Sequence, residues 1–218
     1  MGGRIALAVL AAALAVFRAT AGSTPFMLSL LQPVQLPDGG RDVGGVRISL
    51  VYGGCRNMKG LDIGVAGHCD GDFSGFAAGG VNAVDGRLFG VQAGLVNWNG
   101  NGETGSHSIG VQAGLLNSAG DLGGVQYGWI NRSSVSMSGL QSGLFNWADD
   151  IRGAQLGSYF VLGVNICSGT VQGCQIGLVN WAERIDGGIQ IGLLNIVRGN
   201  GWLPVLPVIN GGLRKSLK

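Results

Sequence analysis

The chain has 218 residues, of which 43 are Gly, with 46% hydrophobic and 12% charged residues and a net charge of +2. It is long enough for a domain with a real core; its apolar, weakly charged composition excludes disorder, and Gly without a three-residue period, beside only 5 Pro, excludes collagen. Lys and Arg are scattered apart from Arg214, Lys215 and Lys218 at the end, so no nucleic-acid partner is expected.

The chain opens on an address. Arg4 precedes an apolar run from Ile5 to Phe17, and Ala19-Thr20-Ala21 supplies a small-x-small cleavage site before Gly22. Residues 1–21 are therefore predicted to be a secretory signal peptide, because a spanning helix needs about 20 apolar residues. Residues 22–44 form an N-terminal cap, where Pro25–Pro37 carries Phe26, Met27, Leu28, Leu30 and Leu31.

A glycine-rich repeat fills 45–200. Clear copies are Gly90-Val-Gln-Ala-Gly-Leu-Val-Asn97, Gly110-Val-Gln-Ala-Gly-Leu-Leu-Asn117 and Gly188-Ile-Gln-Ile-Gly-Leu-Leu-Asn195. Others begin at Gly124, Gly139 and Gly173, and weaker ones at Gly45, Gly60, Gly75 and Gly153. The step is 14 or 15 residues, with two steps of 20 that carry insertions around Asn99–Ser108 and Val161–Thr170. Apolar residues alternate along each copy, as in Ile189, Ile191 and Leu193, which predicts a strand with those side chains buried. Two glycines per eight residues argue against a helix, at about 1 kcal/mol each relative to Ala. Asp, Asn, Ser and Gly between copies suit turns. Residues 201–218 are a C-terminal cap and basic tail, in which Pro204 and Pro207 end the pattern because Pro cannot donate to a ladder.

Two all-β assemblies fit about ten such repeats. In a β-solenoid, each copy stacks in parallel on the last, and like residues form ladders about 4.8 Å apart. One ladder would hold Gln92, Gln112, Gln126, Gln141, Gln155, Gln175 and Gln190. A second, at a corner, would hold Asn97, Asn117, Asn131, Asn146, Asn180 and Asn195. Stacked amides satisfy one another's donors and acceptors. In the copy at Gly153, Ser158-Tyr159-Phe160 replaces Leu-x-Asn, so the Asn ladder is expected to break there.

The rival is an antiparallel outer-membrane barrel of about ten strands. Leu88–Trp98 could span a bilayer, Trp98, Trp147 and Trp181 could form girdles, and both insertions would fall on one rim. The solenoid is favoured on three grounds. The repeats do not alternate in character as up and down strands should. The adjacent apolar pair Leu95-Val96 suits a corner. Cys55 and Cys69 lie about one repeat apart, within disulfide reach only if coils stack.

The four cysteines, Cys55, Cys69, Cys167 and Cys174, are candidates for disulfides in an exported chain. Cys174 also reads as a small core residue, since other copies carry Val or Leu there. Zinc is not expected, because no pair has the short ligand spacing.

The repeated Gly-Val/Leu-Gln-x-Gly-Leu-x-Asn, ending in Leu203-Pro-Val-Leu-Pro-Val-Ile-Asn210, resembles a bacterial surface-repeat group of spirochaetes and other Gram-negative lineages. The resemblance covers roughly Gly45 to Asn210. It implies export and surface exposure, and it carries no catalytic or binding residue.

No catalytic, cofactor or metal set emerges. Gly100–Gly105 matches GxGxxG but sits in a loop without a βαβ unit. His107 lies beside Ser106 and Ser108 in an exposed loop. His68, Asp70 and Asp72 form a polar cluster beside Cys69 that is read as turn residues rather than a calcium site. Asp149, Asp150, Glu183 and Arg184 are read as solvated linkers. Asn131 matches a glycosylation sequon but is expected to turn inward. The chain is thus expected to be a non-enzymatic structural or interaction protein of the cell surface, exported by a Gram-negative bacterium, with an unassigned surface partner. The alternative is an outer-membrane barrel with a porin-like or packing role.

Overall fold

The computed structural model describes residues 22–38, 40–100, 107–158 and 162–212. The expected signal peptide, most of the Gly100–Gly105 loop, Ser106, Tyr159, Phe160 and the basic tail lie outside these residues. Among the described residues, the structure is strand and turn throughout. The strands are β1 (Ser23–Leu31), β2 (Val34–Leu36), β3 (Asp42–Cys55), β4 (Met58–Cys69), β5 (Phe73–Val84), β6 (Leu88–Asn99), β7 (His107–Ala113), β8 (Leu116–Tyr127), β9 (Ile130–Gly143), β10 (Phe145–Gly157), β11 (Val164–Ile176), β12 (Val179–Ile185), β13 (Gly188–Val197) and β14 (Val205–Gly212).

Each copy makes one coil of a β-solenoid of about 11 turns. Every pairing from β3 to β13 is parallel. The antiparallel barrel is therefore overturned. The leading glycines stack as the repeat requires: Gly45 on Gly60, Gly75 on Gly90, Gly139 on Gly153. Gly139 shows why this place is glycine. Its φ is 138°, and a Cβ there would overlap the carbonyl oxygen of Gly124 in the coil below.

β1 starts the parallel stack against β3, and β2 folds back antiparallel on β1. At the other end β14 runs antiparallel to β13. The prolines do end the parallel stack, and each terminal coil is covered by a reversed strand.

The expected core is inverted. In the coil that begins at Gly139, the inward side chains are Gln141, Asn146, Ala148 and Ile151, all buried. The alternating apolar residues face out: Ile189, Ile191 and Leu193 are 37%, 37% and 71% exposed, while Gln190 between them is fully buried. Alternation correctly gave a two-faced strand but not which face turned inward. The buried apolar residues instead come from the linking segments. They form two small clusters, one around Leu122, Met137, Ile151 and Ile185 and one around Met58, Cys69, Phe73 and Leu88.

Candidate functional site

Both amide ladders form inside the rod. Gln112 Nε2 donates to Gln92 Oε1 at 2.8 Å, and the chain of bonds continues through Gln126, Gln141, Gln155, Gln175 and Gln190 at 2.6–2.8 Å. The second hydrogen of each amide crosses the coil to a carbonyl, as from Gln141 to Trp147 O at 3.1 Å. In the other ladder, Asn97 Nδ2 donates to Asn117 Oδ1, and the run continues through Asn131 and Asn146 to Asn195. The Gln amides donate toward the N-terminus and the Asn amides toward the C-terminus, so the two rows of side-chain dipoles oppose each other.

The Asn ladder is longer than the motif indicated. Asn82 donates to Asn97, and Asn165 fills the place expected to be empty, accepting from Asn146 and donating to Asn180. The second insertion is therefore not Val161–Thr170. The chain leaves the rod after Gly157, closes a bridge between Ser158 and Leu162, and resumes the motif at Val164-Asn165. Asn131 is turned inward in the ladder, as expected of its sequon. The glycine before each ridge belongs to this arrangement: a Cβ on Gly143 would lie 2.6 Å from Asn131 Nδ2.

Below Gln92 the Gln column changes chemistry to Ala77, Asp62 and Arg47. Arg47 grips Asp62 with two bonds, Nε to Oδ1 at 2.8 Å and Nη2 to Oδ2 at 2.6 Å. Its Nη1 donates to His68 O at 2.7 Å and to Cys55 Sγ at 3.1 Å. Gly67 stands where later coils have Asn, and a Cβ there would lie 2.7 Å from Arg47 Nη2. Burial works against the Arg47 charge, but the bonds and charge of Asp62 outweigh it and hold the guanidinium above its ordinary value.

Cys55 and Cys69 stack as the repeat spacing required, both fully buried and both as free thiols. A hydrogen bond from Cys69 lowers the Cys55 pKa against its burial, with Arg47 assisting. The hydrogen bond to Cys55, together with burial, raises Cys69. Cys167 and Cys174 do not stack: Cys167 lies beside Ala148 and Ala182, and Cys174 beside Ala154 and Ile189. Burial pushes Cys167 up to about 12.

Outside this node, His68 joins Asp85 rather than Asp72. His68 Nε2 lies 3.0 Å from Asp85 Oδ1, and its Nδ1 lies 3.4 Å from both Asp70 Oδ1 and Tyr52 Oη. Among the described residues, His68, Asp70 and Asp85 are the group that could ligate a metal, with ligand atoms within 4.8 Å of one another. Each imidazole nitrogen already faces a carboxylate, so the group is complete as a polar network. Asp72 pairs with Arg87 at 2.5 Å. Ser108 points inward to Asn99 Oδ1 at 2.8 Å while His107 points outward to Asp121 at 2.9 Å, so they do not form a nucleophile and base.

The outer surface divides sharply. Asp70, Asp85, Asp121, Asp150, Arg184 and Arg198 all lie in the segments that turn one corner of the coil. A shallow groove of about 420 Å³ runs there along Asp121, Asp150, Gln172 and Asp186. The opposite corner is a ridge of paired apolar residues, including Leu95-Val96, Leu115-Leu116, Trp129-Ile130, Leu144-Phe145 and Leu193-Leu194. The outward columns that flank it carry no charged side chain through the described coils. The insertions leave from opposite corners, the first after Gly100 at the charged one and the second after Gly157 at the ridge. Sequence reasoning missed this division because it placed the alternating apolar residues inside. The signal was there: the motif's invariably spaced Gln and Asn already had a reason to be buried.

Comparison with known protein families, with curated proteins and with solved structures found no match for the chain, so its placement rests on the repeat register and on the surface that register creates.

Proposed function

We propose that this protein is an exported structural or interaction repeat protein of the bacterial cell surface, working as a rigid rod whose apolar ridge is its contact surface. One observation carries the reading: Leu95, Trp129 and Leu193 are 60–71% exposed along the tip of the ridge, with Phe145 53% exposed in the column beside them. Soluble proteins rarely expose an apolar patch larger than a few hundred Å² unless something binds it. The Ile5–Phe17 run with Ala19-Thr20-Ala21 supports export, and the resemblance to bacterial surface repeats supports the location. The interior supports a scaffold role, since its polar groups are consumed in the ladders. A porin-like role would require a closed cylinder with a lumen, and the parallel coils leave none.

The test is to express the full chain in a Gram-negative host. Loss of the N-terminal segment, measured by mass, and labelling of Lys59 by an amine reagent that cannot enter intact cells are the expected results. An unprocessed chain recovered only from the cytosol would overturn the reading.

A further inference from the structure

We infer that the ridge is covered by lipid, and that the rod lies in the plane of a bilayer with its apolar corner sunk into one leaflet. This rests on the contact-surface reading above and names the partner. Three observations point to lipid rather than to another protein.

The first is shape. The apolar residues occupy a convex wedge, with Val91 and Ile189 on one flank, Val96 and Phe145 on the other, and Leu95 and Trp129 at the tip. A second rod could cover one flank but would leave the tip and the far flank wet. A fluid hydrocarbon layer covers all three at once. Around the tip this strip is about 50 Å long and 20 Å wide, taking 4.8 Å per coil and 3.3 Å per residue.

The second is charge. At the charged corner Arg56 pairs with Asp42, Arg87 with Asp72 and Arg198 with Glu183, while Arg184 donates to Thr170 Oγ1. Lys59 and Arg132 are exposed at the borders of the apolar zone and form no ion pair with a described residue, whereas Arg152 lines the acidic groove with Asp121, Asp150 and Asp186. Two unpaired cations beside an apolar wedge, with most acids turned to the far corner, complement anionic lipid phosphates.

The third is depth. Trp98, Trp147 and Trp181 share one column with Ser118 and Arg132 at the border of the ridge, three residues from the tip, or about 10 Å. That depth fits within one leaflet, about half of a 30 Å hydrocarbon core. Indoles at that level sit where an apolar ring and a polar N–H are both satisfied. Backbone polarity does not forbid insertion, because the coils bond to each other along the axis and both ends are covered by reversed strands.

The experiment uses the full chain with unilamellar vesicles of equimolar phosphatidylethanolamine and phosphatidylglycerol, brominated either near the headgroup or near the chain terminus. The difference in tryptophan emission between the native chain and Trp129→Phe isolates the tip indole. The N-terminal apolar run is common to every variant and does not enter that difference. The expected result is that Trp129 is quenched more by deep than by shallow bromine, while Trp98, Trp147 and Trp181, read in a chain that also carries Trp202→Phe, show the reverse. Leu115→Asp, one coil from Trp129 on the same ridge, should abolish the deep quenching with the circular dichroism unchanged. A Trp129 that stays open to aqueous iodide in the presence of vesicles would overturn lipid as the partner. If it is then shielded in a concentration-dependent manner without lipid, the ridge binds a second copy and the contact-surface reading stands. If it stays open under all these conditions, both fail.

Discussion

At the scale of the residue, one amide explains much of the repeat. Gln141 is fully buried, donates to Gln126 and Trp147 O, and accepts from Gln155. A buried glutamine is tolerated only because the coil spacing lets its donors and acceptor meet like groups above and below. Replacing it with Leu would leave Gln155 Nε2 and Gln126 Oε1 short of their axial partners. Gln141→Leu should lose about 3 kcal/mol in urea unfolding, at about 1–3 kcal/mol for each buried group left unsatisfied. Gln190 ends the ladder, and its Oε1 has no partner. Gln190→Leu should cost less than half as much, and equal losses at both positions would show that the ladder is not the source.

At the scale of the element, the first coils are held differently from the rest. β3 and β4 carry the Arg47–Asp62 pair where later strands carry Gln, and they leave out the Asn side chain to make room. A buried ion pair stabilises little net, but breaking it strands a charge at about 3–5 kcal/mol. Asp62→Leu alone should therefore destabilise strongly, and the double variant Arg47→Met with Asp62→Leu should recover most of the loss; thermal unfolding of the four chains in the cycle checks this. The charged corner adds a pH dependence. Hydrogen bonding from Arg56, opposed by modest burial and aided by Asn57, lowers Asp42 from 3.8 to about 2. Asp72 is lowered in the same direction by Arg87. A carboxylate lowered on folding contributes stability above its unfolded value, and that contribution is lost as pH falls toward the folded one. The gap in melting temperature between the native chain and Asp42→Asn should hold above about pH 4 and close between pH 4 and 2. A gap constant over that interval would remove the ion pair as its cause.

At the scale of the whole molecule, each coil touches only its neighbours, so stability is close to a sum of coils and interfaces. Deleting residues 139–152 joins Ser138 to Gly153 and keeps every column in register, because those glycines already stack. The shortened chain should fold with a modest fall in denaturation midpoint. Removing half a coil instead would turn Gln and Asn outward and should abolish cooperative unfolding. The long repeat also explains how the rod tolerates two insertions: each leaves at a corner and returns to the same column.

The amino-acid order alone determined the repeat, its period, the like-placed set Gln92 to Gln190 and the proline-terminated end, because each depends only on spacing along the chain; it favoured parallel stacking over an antiparallel barrel, a choice that the tertiary structure decided. It also placed Cys55 beside Cys69. It did not determine which side of each strand is the inside, since alternation with period two is satisfied equally by either face. That choice fell to the tertiary structure, where a coil of about fifteen residues is too narrow to hold two rows of Leu and Ile but just wide enough for amides bonded along the axis. The tertiary structure also brought Asn165 into the Asn ladder and gathered His68 with Asp85 across neighbouring coils.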